Sequence, residues 1–336
     1  MQETRHPSSP PLWRRACGHA RYLAAAALMT AAFAWAADGS ALIIKGKEGW
    51  LFAGWGSLTH VDPAGIDKSV RMIARTNELL ASKGIRLEVL MLPDKVHFYE
   101  SLLPDDRQVS PEVRQRYQLI LGKLQQAGIA TFDDLAVLRS VQASGKNVFY
   151  RTDQHWTQDA ADATALATAD AIRRDVAQLA GQPGSGTVLG DTTKERRYGD
   201  LAELFLTPEE KKKIGREIYT IRRQAEGQGL LDDAPAPVHV TGHSMVQPYF
   251  GFPQKLSNAI DRPVSLNWKP GNIGPWVMLL EYLESPAFRQ HSPQVLVWQM
   301  YEPNFNQGPD AAGLWDNASV MPDDEWMQRV TRAINP

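Results

Sequence analysis

The octapeptide Tyr150-Arg151-Thr152-Asp153-Gln154-His155-Trp156-Thr157 sets a carboxylate and an imidazole two residues apart, just ahead of a segment that reads as helix. Its counterpart lies far downstream. Val238-His239-Val240-Thr241-Gly242-His243-Ser244-Met245 reads as a short apolar strand delivering a serine on a sharp turn. In open α/β sheets ligands bind beyond the carboxyl ends of strands. A serine hydroxyl becomes a good nucleophile when a base takes its proton and an acid orients that base. The two segments therefore predict a Ser-His-Asp triad in the chain order Asp153, His155, Ser244. Each also has a plainer reading. A lone serine in such a place is more often a helix cap, and a lone aspartate more often closes a surface turn.

Working outward, hydrophobic spacing predicts strands alternating with helices. Ala41 to Phe52 reads as an edge hairpin, Pro63 to Ser82 as a helix, and Arg86 to Leu92 as a buried strand stopped by Pro93. Helices are expected over Glu112 to Gln126 and Asp133 to Gln142. Val148 to Tyr150 reads as a short strand leading into the Asp-x-His turn. Thr157 has the character of an N-cap for a helix running to about Arg174. Gly181 to Asp191 reads as a loop, and 192–236 as polar and irregular, with the charge run Glu209 to Lys213 a solvated face. Beyond Ser244, helix is expected over most of Gln247 to Ile260 and over Trp276 to Leu283, with strands at Val264 to Trp268 and Val295 to Gln299. The tail after Tyr301 is polar and is expected to wrap the surface. This alternation predicts an α/β sandwich with a largely parallel sheet.

The 336 residues allow one large or two small domains, and an apolar fraction of 43% supports a packed core. Lys+Arg 36 against Asp+Glu 38 leaves no basic excess, which argues against nucleic acid as a partner. Residues 1–36 read as a targeting segment. Arg5, Arg14, Arg15 and Arg21 precede an apolar run from Tyr22 to Ala37, and Ala34-Trp35-Ala36 is a small-x-small cleavage site. The run is shorter than the roughly 20 residues of a membrane span. A signal peptide is expected, with an uncleaved signal anchor as the alternative. Residues 37–336 would then be the mature domain. Cleavage removes Cys17 and leaves 32 basic against 37 acidic residues, a net charge of −5. A cysteine-free exported protein suits the periplasm, with no disulfide or thiolate chemistry.

Other polar residues stand at expected strand or turn ends. Gly271-Asn272-Ile273-Gly274 could offer N–H groups to an oxyanion, with a plain strand-to-helix turn as the simpler account. Tyr301 and Trp156 could present ring faces to a sugar, and Lys95 could meet a carboxylate. Beyond the leader, the remaining histidines, His60, His97, His239, His243 and His291, lack ligand spacing, so no metal is expected. No nucleotide-binding loop and no Cys-x-x-Cys points to a cofactor.

Six stretches carry a family resemblance. They are Gly46-Lys47-Glu48-Gly49-Trp50-Leu51-Phe52; Pro93-Asp94-Lys95 with Tyr99 and Leu103-Pro104; Thr152-Asp153-Gln154-His155-Trp156; Gly199-Asp200-Leu201; Gly242-His243-Ser244; and Val295 to Trp298. In this order they resemble the alginate O-acetyltransferase family, the AlgJ/AlgX type of SGNH-hydrolase-like proteins. The chain departs from the family in carrying His243 before the serine and a thinner glycine turn at Gly271 and Gly274. The resemblance implies an SGNH-like three-layer α/β/α sandwich with a permuted triad order. Ser244 would be the nucleophile, His155 the base and Asp153 its orienter. It implies acetylation of an exopolysaccharide in the periplasm, with acetyl groups supplied through a membrane-bound O-acyltransferase partner. An esterase using the same triad, and a polysaccharide-binding scaffold without catalysis, are the competing readings.

Overall fold

The computed structural model describes residues 42–224 and 235–336, so the arginine-led leader and its expected cleavage site lie outside the described residues. A small antiparallel pair comes first, β1 (Ile43–Lys45) against β2 (Leu51–Ala53), with Ile44 opposite Phe52. Helix α1 (Pro63–Ala81) starts at Asp62, whose carboxylate accepts from the Ala64 N–H. Next come β3 (Arg86–Leu92), the short α2 (Val96–Tyr99), α3 (Pro111–Gln126), α4 (Asp134–Ala143) and α5 (Gln158–Asp175). Ser110, Asp133 and Thr157 cap α3, α4 and α5 by accepting N–H groups that the first helical turn leaves unpaired. β4 (Leu189–Arg197), α6 (Asp200–Phe205), α7 (Pro208–Ile214) and β5 (Glu217–Gln224) follow. The chain ends with β6 (Val238–His243), α8 (Phe252–Ile260), β7 (Val264–Lys269), α9 (Pro275–Leu283), α10 (Pro286–Gln290), β8 (Val295–Tyr301) and α11 (Asp323–Ile334).

The central sheet has the order β3-β8-β6-β7, and every pair in it is parallel. Leu87 lies opposite Leu296, and Val240 is flanked by Val297 and Leu266. β6 is buried throughout and β3 from Leu87 onward, as expected for parallel strands covered on both faces. Helices α1, α9 and α11 pack together on one side, and α4, α5 and α8 on the other. This is the three-layer α/β/α arrangement, and it aligns the carboxyl ends of all four strands on one edge.

Three expectations need correction. The stretch 192–236 is not irregular where it is described. β4 and β5 form an antiparallel ribbon separate from the main sheet, with Glu195 opposite Tyr219 and Arg197 opposite Glu217. β4 carries almost no apolar residue, so no alternation betrays it. The tail after Tyr301 does not merely wrap the surface. Phe305 is buried, and α11 inserts Trp326, Val330 and Ile334 into the core from one helical stripe. Trp326 meets Trp276 edge-on at 5.1 Å, and its Nε1–H donates to the Trp276 carbonyl at 2.8 Å. Finally, Gln247 does not begin a helix. Ser244–Val246 and Pro248–Phe250 are 3₁₀ turns, and α8 starts only at Phe252, after Gly251 at φ +79°. The proline at 248 cannot donate to a continuing helix.

Candidate active site

The Asp-x-His segment is a closed loop outside the sheet. Phe149 and Trp156 bridge antiparallel, the Tyr150 N–H donates to the His155 carbonyl at 3.1 Å, and the Thr157 N–H donates to the Val148 carbonyl at 2.8 Å. Inside it, Asp153 Oδ1 accepts from the His155 backbone N–H at 2.9 Å and from His155 Nδ1 at 2.6 Å. The two-residue spacing is what lets one oxygen take both, since an aspartate naturally reaches the main chain two residues on. With Nδ1 donating to that carboxylate, the neutral imidazole presents an unprotonated Nε2 on its other side. That nitrogen lies 2.7 Å from Ser244 Oγ. The three residues that the sequence singled out are therefore in one line.

Ser244 arrives at the carboxyl end of β6 through a tight approach. A Cβ on Gly242 would stand 2.8 Å from Gln299 Cβ and Oε1 and 3.0 Å from Val246 Cγ2, so only glycine fits without displacement. Gln299 Oε1 in turn accepts the His243 N–H at 3.0 Å, fixing the backbone just before the serine. Asp153 and His155 are buried while Ser244 is half-buried. Phe250 stacks on the imidazole at 4.7 Å.

Several supporting residues were given no role by the sequence. Tyr219, from the overlooked β5, donates its hydroxyl to Asp153 Oδ2 at 2.6 Å. Glu217, on the same strand, accepts the N–H groups of Arg151 and Thr152, each at 2.8 Å. Asp200 brings Oδ2 to 3.4 Å from His155 Nδ1, and its Oδ1 accepts the Gln154 N–H at 2.9 Å. The Arg197 guanidinium lies over Tyr219 at 5.0 Å and Tyr249 at 5.2 Å. The signals present were the β-branched and aromatic run Ile218-Tyr219-Thr220-Ile221 and the Gly199-Asp200-Leu201 triplet, neither specific alone.

The charges of the cluster follow from this geometry. Burial alone would lower the His155 pKa, but the adjacent Asp153 carboxylate and Asp200 outweigh it, and the pKa is raised. Burial alone would raise Asp153, but His155 together with hydrogen bonds from Asp200 and Tyr219 holds it well below the usual carboxylate range. Burial, then the neighbouring Asp153 charge, pushes Asp200 well above it. Two carboxyls this close do not both ionise easily. Asp153, His155 and Asp200 form a cluster whose donor atoms lie within 4.8 Å, the sort of set that could hold a metal ion. Two of those atoms are already joined through the Nδ1 proton, and Nε2 faces Ser244, which fits a proton relay better than a coordination sphere.

The other predicted residues fall in different places. The 271–274 loop adjoins the serine turn through His243, whose Nε2 lies 2.7 Å from the Ile273 carbonyl. Burial lowers the His243 pKa to about 4, so this is a neutral structural contact. The Asn272 carbonyl accepts from Asp316 N–H at 2.9 Å, Gly274 is packed against Trp315, and Gly271 is exposed. Tyr301 is tied down, its hydroxyl donating to Asp94 Oδ1 at 2.8 Å. Asp94 and Glu302 are both bonded to the buried Arg116. Trp156 cannot present a face to a sugar, because it is wholly buried and stacked on Phe252 at 5.6 Å. Lys95 cannot meet a carboxylate of a ligand either. It is 4% exposed, and its ammonium is bound by backbone carbonyls.

A family model described as SGNH hydrolase-like domain, acetyltransferase AlgX, matches residues 43–302. The probable alginate O-acetylase AlgJ of Pseudomonas fluorescens is 27% identical over 295 residues, which cover 83% of this chain and 73% of that protein. The solved O-acetyltransferase domain of Pseudomonas putida AlgJ aligns with a TM-score of 0.69 at 24% identity, covering 87% of this chain and 99% of that domain. Pseudomonas aeruginosa AlgX aligns with a TM-score of 0.61 at 16% identity, over 87% of this chain and 67% of that one. The two structural likenesses speak for the fold.

Proposed function

Since the chain belongs to the family of SGNH hydrolase-like acetyltransferase domains of the AlgX type, we propose that it moves acetyl groups onto hydroxyls of an exopolysaccharide, alginate or a similar polymer, through an acyl-Ser244 intermediate. The observation that carries the reading is the 2.7 Å contact of Ser244 Oγ with His155 Nε2, with Nδ1 fixed on Asp153. The relatives' names support the substrate class.

In the first half-reaction Ser244 Oγ attacks the acetyl carbonyl while its proton passes to His155 Nε2. The imidazolium is stabilised by Asp153, which stays ionised. Collapse of the tetrahedral intermediate breaks the bond to the donor's oxygen, which leaves with the proton from Nε2. In the second half a sugar hydroxyl gives its proton to Nε2 and attacks the acyl carbon, and Ser244 Oγ recovers the proton on leaving. Water competes for the same intermediate, and the half-exposed Ser244 favours hydrolysis as a second reading. A sugar prevails when it is bound against the acyl carbon, where effective molarities reach about 10⁵ M or more. The domain is proposed to work in the periplasm, exported by the arginine-led leader and fed by a membrane-bound O-acyltransferase. No helix among the described residues is long and apolar enough to cross a membrane.

The test is incubation of purified protein with a small acetyl ester and oligomannuronate, followed by mass spectrometry of the oligosaccharide. Acetylated sugar is expected from the wild type, and none from Ser244→Ala, His155→Ala or Asp153→Ala. Free acetate alone, across several acceptors, would establish the esterase; undiminished activity in folded Ser244→Ala would remove the serine from the mechanism.

A further inference from the structure

The Lys95 ammonium sits where four backbone carbonyls converge. Its Nζ is 2.8 Å from the Leu51 carbonyl, 2.7 Å from Tyr150, 3.2 Å from Arg151 and 2.8 Å from Asp153. Three of these belong to the Asp-x-His loop and one to β2. The remaining sides are closed by aromatic faces, Trp50 at 5.0 Å and Phe52 at 5.4 Å from the nitrogen. β2 and the loop also meet directly, the Leu51 N–H donating to the Arg151 carbonyl at 3.0 Å.

We infer that Lys95 is the positioning residue of the triad, a buried cation that gathers the Asp153–His155 loop onto the end of β3 and onto β2. The chemistry of the cage argues for an ammonium in particular. Its three donors can serve the three near carbonyls and share the fourth, whereas a neutral amine has only two hydrogens to give. A guanidinium is a planar fork, unsuited to acceptors that converge on a point. The four carbonyl dipoles stand where an unpaired cation would otherwise be left without solvation, a costly state in a protein interior. Burial draws the lysine pKa down to about 7, and nearby Asp153, Glu217, Asp200 and Asp94 act against that. The charge also lies on the main-chain side of Asp153, so one cation fixes the loop's path and favours its carboxylate. Without it the loop carbonyls lose their common partner, and Asp153 with His155 is free to drift from Ser244. A displacement near 1 Å is enough for a rate loss on the order of 10²-fold.

This rests on the triad reading, so the experiment reports on Ser244 itself. Wild type, Lys95→Met and Lys95→Ala are each treated with a sulfonyl fluoride, and the rate of Ser244 labelling is followed by mass spectrometry beside steady-state turnover of a small acetyl ester. Circular dichroism checks folding. Absence of labelling in the wild type would sink the triad and leave nothing for Lys95 to position. With the wild type labelled, Lys95→Met is expected to label on the order of 10²-fold more slowly, with kcat lowered and KM little changed. Ethylammonium is expected to restore part of the rate to Lys95→Ala by refilling the cage, which also covers the case in which the methionine variant does not fold. Wild-type labelling in a folded Lys95→Met protein would overturn the inference. So would a raised KM with unchanged kcat, which would make Lys95 a substrate contact.

Discussion

Gly199→Ala tests how tightly the Asp-x-His loop is clamped. Gly199 needs no unusual backbone angle, its φ being −71°. It is glycine because of what lies against it. A Cβ there would stand 2.2 Å from the Thr152 carbonyl oxygen, 2.3 Å from the Thr152 carbonyl carbon and 2.6 Å from the Asp153 nitrogen. All three are main-chain atoms, so no side chain can rotate away. Real Cβ contacts essentially never fall below 3.0 Å, so the two segments must part by about 0.8 Å or more. Three hydrogen bonds cross the same seam: Gly199 N–H to Thr152 Oγ1 at 3.0 Å, Ala202 N–H to the Thr152 carbonyl at 3.2 Å, and Gln154 N–H to Asp200 Oδ1 at 2.9 Å. Stretched by that amount they are lost or nearly so. At about 1 kcal/mol each, the variant should be destabilised by about 3 kcal/mol. The movement of Asp153 should lower kcat/KM on the order of 10²-fold. Thermal melting and hydrolysis of a chromogenic acetyl ester measure the two effects. Gly122→Ala is the control, because a Cβ in that helical position meets nothing within 4 Å. A Gly199→Ala protein that melts with the wild type and keeps its activity would refute the clamp.

Three further outcomes follow from the site and the core. His155 has to be neutral to accept the serine proton, and its pKa is raised, so the acid limb of the pH–kcat/KM profile should lie above the ordinary 6.5, with a midpoint belonging to the coupled Asp153–His155–Asp200 cluster. The stability linkage runs the opposite way: a raised histidine pKa stabilises the fold below the unfolded value and that contribution disappears as pH rises through the folded one, which a melting series across the same window should register. Trp326→Ala removes a wholly buried ring from the α11 stripe and should cost about 3–5 kcal/mol. The melting temperature should fall by on the order of 10 °C, while kcat at low temperature stays close to wild type; an unchanged melting temperature would mean that α11 is dispensable.

The main sheet was legible because its strands are short apolar runs with punctuation. Arg86 to Leu92 is bounded by Gly84 and Pro93, and the structure gives the strand those limits. The meeting of Asp153, His155 and Ser244 was legible because their chemistry is local: a carboxylate two residues from an imidazole, and a serine after a strand. What could not be read was the direction of side chains. Lys95 and Trp156 stand beside site residues in the chain, but both turn into the interior. β4 escaped because its sequence, Leu-Gly-Asp-Thr-Thr-Lys-Glu-Arg-Arg, lacks the alternation by which a half-buried strand announces itself. Tyr219 was lost with its ribbon, since nothing in Ile218-Tyr219-Thr220 says that the phenol will reach an aspartate 66 residues earlier in the chain. α11 carries only three buried residues among charged ones, a stripe easily taken for an exposed tail.

The separateness of the β4–β5 ribbon has a consequence for how the molecule loses activity. Glu217 and Tyr219 steady the Asp-x-His loop, yet the ribbon forms no backbone ladder with the four-stranded sheet, and none of the β4 residues is buried. Only Tyr219 and Ile221 of the ribbon are buried apolar residues, and few such contacts make for a low threshold of sub-global opening. The ribbon amides should therefore exchange with solvent ahead of those of the four-stranded sheet, although Tyr219 and Ile221 join the main core. Warming or mild denaturant would silence the hydroxyl by releasing the ribbon while the core amides remain protected from solvent exchange. Cooling would bring the activity back without any refolding of the sheet.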